Sequence, residues 1–366
     1  LPDSEPAPTP PRGLAAIDGW LERRPWLPLG AVLLAGLAIR IAIALPNALN
    51  PDEAMHVLRS CMDSFWEVYR ADLAGPDPSL LHLIIFPLCK LHAPDFVLRL
   101  PSVLAGVGAV FFIYRWLAEL FDRTTGLAGA VILAVAPSVA YVSAEVRAYS
   151  ILSFFAVAAL YFLAAGLRHR SPVLLLLFGL SQCLALVSQY SALLVIAVAG
   201  GYSLYRVLRE RLRGPALAAW LGAEAATLGL IAFLWFSHLS KLQGSAIAGA
   251  MKSGMFGWLY FNPARDRLFG FIAAKTAGAF SFIFSQLHVG LVGLVLFVAG
   301  VGWLLARGAG RRAAAILILG PWLLALAGGL LALYPYGRSR HIVLLAVFAA
   351  AGIAVLLRRA AGPRPS

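Results

Sequence analysis

The sequence has 366 residues, of which 61% are hydrophobic and only 13% charged, and its mean hydropathy is +0.82. A soluble domain sits near half apolar and about a quarter charged, so this balance excludes a soluble globular protein. The net charge of +13 would suit a nucleic-acid partner, but the arginines sit between apolar runs and do not cluster with aromatics on one surface, which excludes that class.

In chain order, Leu1–Pro11 is rich in proline and reads as a disordered tail, and the lack of an initiator Met reads as a trimmed or processed start. No cleavable signal is visible, because the first apolar run is long enough to span and lacks a small-residue cleavage site. Residues 1–26 read as a tail and juxtamembrane segment, and 27–357 as a single transmembrane catalytic domain. Within it, ten apolar runs of spanning length fall at 27–46, 100–118, 126–143, 149–167, 172–188, 190–206, 216–236, 288–305, 313–333 and 342–357. The expected fold is an all-α polytopic membrane protein with about ten transmembrane helices. Segments assigned inside carry 17 cations to 7 acids, against 12 to 9 outside. The short basic loops RHR, RERLR and RGAGRR carry the bias, so both termini, including the 358–366 tail, are expected in the cytoplasm.

Two long connections fall outside. In 47–99, apolar residues recur at 54, 58, 61, 62, 65, 69 and 73, the helical period of one helix lying in the membrane interface over 53–73. Ser79–Leu91 is too short to span and reads as a second interfacial piece. The other connection, 237–287, has no assigned structure beyond a possible interfacial helix at Phe269–Phe284. Cys61, Cys89 and Cys183 show no metal or redox spacing, and although Cys61 and Cys89 share a side, the reading favours free thiols.

Four polar groups gather at the outer ends of these spans: Asp52-Glu53, Glu145-Val-Arg147-Ala-Tyr149, Gln189-Tyr190, and Tyr334-Pro-Tyr336-Gly-Arg338-Ser-Arg340-His341. They lie far apart in sequence, yet topology brings them to one membrane face. Each has a bland alternative. Asn50-Pro51-Asp52-Glu53 is also a good helix start, and Arg147 and Arg340 also suit snorkelling anchors beside a tyrosine belt. Arg40 and Glu224, inside spans, are expected to find polar partners within the bundle. Asp52, Glu53 and His56 share a spacing that could hold a divalent cation, but three ligands from one turn need a partner elsewhere, so no metal or other cofactor is assigned.

Asp-Glu after the first span, Arg-Leu-Pro-Ser at 99–102, Ala-Glu-Val-Arg-Ala-Tyr at 144–149, Gln-Tyr at 189–190 and Tyr-Pro-Tyr-Gly-x-Ser-Arg-His at 334–341 together resemble the GT-C glycosyltransferases. The likeness is to bacterial relatives of the protein O-mannosyltransferases and the aminoarabinose transferase of lipid A. It covers roughly 27–357, densely to about 206 and again near 334–345. One departure is Asp77-Pro78-Ser79-Leu80, where many relatives have His-Pro-Pro-Leu. The resemblance implies an enzyme of the bacterial inner membrane with its active site on the extracytoplasmic face. Such enzymes move a sugar from a polyprenyl-phosphate carrier to a hydroxyl of a protein, glycan or lipid acceptor. Asp52 is expected as general base with Glu53 beside it, and Arg147 and Arg340, with Tyr149 and His341, as the clamp on the donor phosphate. Glu145, Tyr190, Tyr334, Tyr336, Arg338, Asp77 and His82 are the substrate-binding candidates. Displacement in one step by one base would invert the anomeric carbon. The rival expectation, a transporter or flippase of lipid-linked glycans, calls for charges deep in several spans and matched broken helices, which the sequence lacks.

Overall fold

The computed structural model describes residues 19, 23–24, 26–75, 78–243, 245, 249–250, 253–254 and 256–361. The tail 1–18, Asp77, parts of 237–287 and the end of the 358–366 tail therefore lie outside the described residues. Among the described residues every regular element is helical. Chain order gives α1 (Trp26–Ala44), α2 (Pro51–Ser60), α3 (Phe65–Ala74), α4 (Leu80–Lys90), α5 (Asp95–Leu120), α6 (Arg123–Val135), α7 (Pro137–Ser143) and α8 (Ala148–His169). These are followed by α9 (Pro172–Ser188), α10 (Ala192–Glu210), α11 (Gly214–Leu234), α12 (Leu268–Ile283), α13 (Leu287–Leu305), α14 (Ala309–Leu330) and α15 (Leu345–Ala360).

All ten expected spans find helices, with two refinements. Among the described residues, eight helices are long and apolar enough to cross a membrane, and α6 with α7 makes a ninth that is bent by 65°. The bend falls at Ala136-Pro137, where proline cannot donate the helical hydrogen bond and its ring crowds the preceding turn. Arg40, wholly buried in α1, donates to the buried carbonyl of Ala134, beside the bend, at 3.3 Å and to Gly36 O at 2.9 Å. The expected polar partner of Arg40 is thus freed backbone, as a broken helix at membrane depth requires. The tenth, α9, has 17 residues, about 25 Å at 1.5 Å per residue, and is short for a span. Glu224 accepts from Ser203 Oγ at 2.9 Å, which in turn takes the Trp220 indole N–H, the polar network expected of it.

At the centre lie α8 and α15, each with 78% of its apolar stretch buried, while α1 is peripheral at 22%. Both central helices are rich in alanine, which lets neighbours approach closely. At the α13–α15 crossing a Cβ on Gly300 would lie 2.1 Å from Gly352 O, so only glycine fits there.

The single interfacial helix expected over 53–73 is instead two, α2 and α3. Ser64 starts a new helix by accepting from Glu67 N at 3.2 Å. Cys61, at the end of α2, is joined to Cys89 at the end of α4, so the expected free thiols are corrected to a disulfide. Met55, Leu58, Phe65 and Trp66 stay exposed on the outside of this subdomain, as on helices lying in a membrane interface. Its inner side is polar: Glu53, Ser60, Asp72 and His82 are buried. The expected interfacial helix at Phe269–Phe284 is α12.

Candidate active site

Asp52 projects from the first turn of α2. Asn50 caps that helix, its Oδ1 accepting from Glu53 N at 2.9 Å while Glu53 Oε2 accepts from Asn50 N at 3.0 Å. This capping box with Pro51 fixes the helix start. The helix-start reading of Asn50–Glu53 is therefore correct, and it positions a site as well. Asp52 Oδ2 meets Arg147 Nη2 and lies 2.6 Å from Arg340 Nη1. Two guanidinium groups from elements nearly two hundred residues apart thus converge on one carboxylate oxygen. Arg147 precedes α8 in extended backbone conformation, held by Ser102, whose Oγ donates to Arg147 O at 3.0 Å. Arg340 opens the turn that leads into α15. Arg147 is buried, Arg340 part-buried, and the Asp52 side chain is 48% exposed, so the pair of arginines faces an opening at Asp52. Burial pushes the Asp52 carboxyl up, and hydrogen bonds from Arg340 and Arg147 outweigh it, so it sits below its ordinary value.

Glu53 points the other way. It is wholly buried, paired with Arg99 through two 2.8 Å contacts, and also accepts from Val146 N at 2.8 Å. Arg99 spends its remaining donors on the carbonyls of Ala44, Asn47 and Ala48 at 2.6–3.0 Å. Every lone pair and donor of this pair is engaged. Burial raises the Glu53 carboxyl, and Arg99 with the Asn50 and Val146 amides more than offsets it, leaving it below its ordinary range. Glu53 is thus a bracket that ties the α1–α2 turn to α5 and to the start of α8, and has no free acceptor for the catalytic share expected of it.

Behind Arg147 runs a row of groups, all buried except the part-buried His56. Arg147 Nη1 lies 3.1 Å from His56 Nε2, His56 Nδ1 lies 2.8 Å from His82 Nε2, and His82 Nδ1 lies 2.7 Å from Asp72 Oδ1. A guanidinium only donates and a carboxylate only accepts, so each proton is assigned from the ends. Arg147 donates to His56 Nε2, which leaves the His56 proton on Nδ1, donated to His82 Nε2; the His82 proton is then on Nδ1, facing Asp72. Burial, then His82 and Arg147, push His56 down to about 3, so it is neutral as this row requires. His82, expected as a substrate ligand, is wholly inside this row.

Glu145 accepts from Asn50 Nδ2 at 2.8 Å and lies 3.7 Å from Arg147 Nε, and burial raises its carboxyl above its ordinary value. Tyr149 OH is 3.4 Å from His341 Nδ1, and Tyr334 OH donates to His341 O. These four line the same end of the bundle as Arg147 and Arg340. Tyr336 is buried with its hydroxyl 2.9 Å from Thr276 Oγ1, which docks α12, and burial pushes its phenol up to about 12. Arg338 is exposed, its backbone beside Gly278 of α12. Tyr190 hydrogen-bonds His238, whose Nε2 lies 2.6 Å from Gly75 O; that link ties α11 to the first outer loop. Asp77 lies outside the described residues. In the trio, Asp52 meets Arg147 and Arg340, Glu53 meets Arg99, and His56 lies between Arg147 and His82, and no group of three potential ligands forms a metal site among the described residues.

Arg99, Asp72 and His238 are the residues here that sequence reasoning gave no role. Asp72 had a signal: with Val68 it forms an i, i+4 pair on the face that α3 buries.

A sequence profile described as Dolichyl-phosphate-mannose-protein mannosyltransferase matches residues 78–238. No curated protein matches over the sequence. Among solved structures, the Archaeoglobus fulgidus oligosaccharyltransferase tethered to an acceptor peptide aligns with TM-score 0.55 at 13% identity, over 93% of this chain and 50% of that one. The same organism's AglB, in complex with an inhibitory peptide and a dolichol-phosphate, aligns with TM-score 0.52 at 14% identity, over 93% and 51%. ArnT from Cupriavidus metallidurans, bound to undecaprenyl phosphate, gives TM-score 0.55 at 12% identity, over 93% and 60%. The chain thus spans about half the length of the oligosaccharyltransferase and three-fifths of ArnT. Its fold is that of the GT-C membrane glycosyltransferases.

Proposed function

We propose that this GT-C-fold chain is a glycosyltransferase that moves a sugar from a polyprenyl-phosphate carrier to an acceptor hydroxyl at the extracytoplasmic end of its helices. The carrying observation is the Arg147–Asp52–Arg340 convergence on a half-exposed carboxylate. Two guanidinium groups aimed at one oxygen anion form a seat that a phosphate fits, with planar forks and several donors. The Asp52 oxygen lies in that seat.

This arrangement gives the site a simple exchange. When the donor phosphate takes the two arginines, Asp52 loses the hydrogen bonds that depress its carboxyl, and becomes a better base just when one is needed. The acceptor oxygen then attacks the anomeric carbon, its proton passes to Asp52, and the bond from that carbon to the phosphate oxygen breaks. The electron pair leaves with the phosphate, whose growing charge the arginines hold. One displacement inverts the anomeric centre. Tyr149, His341 and Glu145 border the seat and are the groups placed to meet the sugar.

Asp52→Asn separates this reading from a purely structural role, because Asn keeps the size and caps a helix about as well. Sugar transfer from a panel of synthetic polyprenyl-phosphate sugars should fall by on the order of 10²–10⁴. Binding of undecaprenyl phosphate should be kept or tightened, since the competing carboxylate is gone. Transfer above about a tenth of the normal rate, against that expected loss, removes Asp52 from the mechanism.

A further inference from the structure

At the opposite end of the bundle from Asp52, the ends of α5, α8, α10, α13, α14 and α15 surround a cavity of about 1010 Å³. Its acids are already engaged. Glu119 pairs with Arg168 and His169, Asp122 with Arg358 and the α6 cap, and Glu210 with Arg206. Of the other guanidinium groups in the wall, Arg209 donates to Tyr205 OH, and Arg307, Arg311 and Arg359 likewise have no carboxylate partner among the described residues. Arg307, Arg311 and Arg359 lie 5.1, 4.9 and 5.4 Å from the centre of the same Trp303 ring. The indole N–H of Trp303 is buried with no acceptor.

The ordinary excess of arginine at one membrane face does not account for this. Such arginines gain most by spreading into water, whereas these three come from a loop, the first turn of α14 and the last turn of α15 to meet over one ring. All three are exposed, cation–π contact holds each one, and the repulsion left between three like charges around one ring is what an anion among them would relieve. Part of the wall is apolar, formed by Ala164, Ala313, Ala314 and Val355.

We infer that this cavity binds a phosphate-bearing anion, with Arg307, Arg311 and Arg359 as its ligands. Basic pockets between transmembrane helices suit the headgroups of acidic phospholipids, and the apolar wall suits the chain below such a headgroup. The site is independent of the chemistry at Asp52.

The test uses the whole protein purified in detergent, with native mass spectrometry to count bound ligand. Phosphatidylglycerol, phosphatidylcholine and inorganic phosphate are titrated separately. The expected result is saturable binding of phosphatidylglycerol at least tenfold tighter than of phosphatidylcholine, and a comparable loss in the triple Arg307→Gln, Arg311→Gln, Arg359→Gln variant. Displacement of phosphatidylglycerol by millimolar inorganic phosphate would assign the site to phosphate alone, and resistance to it to the lipid. The triple Lys variant, which keeps the charge but loses the stacked forks, should lose several-fold and carries the test if the Gln variant does not fold. Equal phosphatidylglycerol binding by the unaltered protein and these variants, or no preference over phosphatidylcholine and no binding of phosphate, overturns the proposal.

Discussion

The row from Arg147 through His56 and His82 to Asp72 has one proton arrangement, and a single group of the wrong kind breaks it. Replacing His56 with Leu removes the acceptor for Arg147 Nη1, and an unpaired buried donor costs about 1–3 kcal/mol. If that cost falls on the clamp, the donor KM should rise by about 5- to 100-fold with a smaller change in kcat, read from transfer kinetics. Asp72→Asn should retain most activity, because its amide oxygen can still face the His82 Nδ1–H, whereas Asp72→Leu should not. Equal kinetics in both Asp72 variants would show that the row does not position Arg147. The same histidine makes the fold acid-sensitive. Its folded value is about 3 and its ordinary value 6.5, so between those values the unfolded chain holds a proton that the folded chain rejects. The stabilisation is therefore complete above about pH 6.5 and declines as pH falls toward 3. In thermal melts at pH 7 and 4.5, His56→Gln should lose less on acidification than the unaltered protein. The sequence showed Asp52, Arg147 and Arg340 because charged residues at the ends of apolar runs stand out. It chose Asp52 as the base but left Glu53 a share, because neighbours in one helical turn differ only in what other helices bring to them: Arg147 and Arg340 beside an opening for one, the buried Arg99 for the other.

Among the elements, α2, α3 and α4 form a small unit that carries Asp52, His56 and the buried His82, and the Cys61–Cys89 bond ties the end of α2 to the end of α4 across 28 residues. A bond closing a loop of that size is worth about 3–4 kcal/mol to the segment it closes. The double Cys61→Ser, Cys89→Ser variant should therefore expose α3 and α4 to protease at a lower temperature than the spans, and lose transfer as His82 and Asp72 loosen. Unchanged proteolysis of this unit would show that packing alone holds it. Periodicity foresaw the interfacial helices but joined α2 to α3, because the break at 61–64 contains no proline or glycine and is set by the Ser64 cap and the tie to Cys89. The α6–α7 bend did have a signal in Pro137, which a hydropathy window averages away. The pairing of Cys61 with Cys89 had only their shared side of the membrane as a signal, since it is the packing of α2 on α4 that brings the ends of those two helices together.

On the scale of the molecule, the proposed chemistry and the arginine-lined cavity occupy opposite ends of one bundle, so the orientation of the chain decides which solution each end meets. Two independent features favour Asp52 outside. The short basic loops concentrate cations at the other end, and a disulfide beside Asp52 is stable only in an oxidising compartment. The first is a statement about charge and the second about redox chemistry, so they need not have agreed. Arg338 and His169 mark the two ends and are both exposed, and Cys183, the one free cysteine among the described residues, can be removed by Cys183→Ser. In that background, a membrane-impermeant maleimide applied to intact cells should label Arg338→Cys and leave His169→Cys untouched until the membrane is permeabilised. Labelling of His169→Cys in intact cells would place Asp52 in the cytoplasm. Transfer to an extracytoplasmic acceptor would then be impossible, and the +13 charge would have been read with the wrong sign of topology.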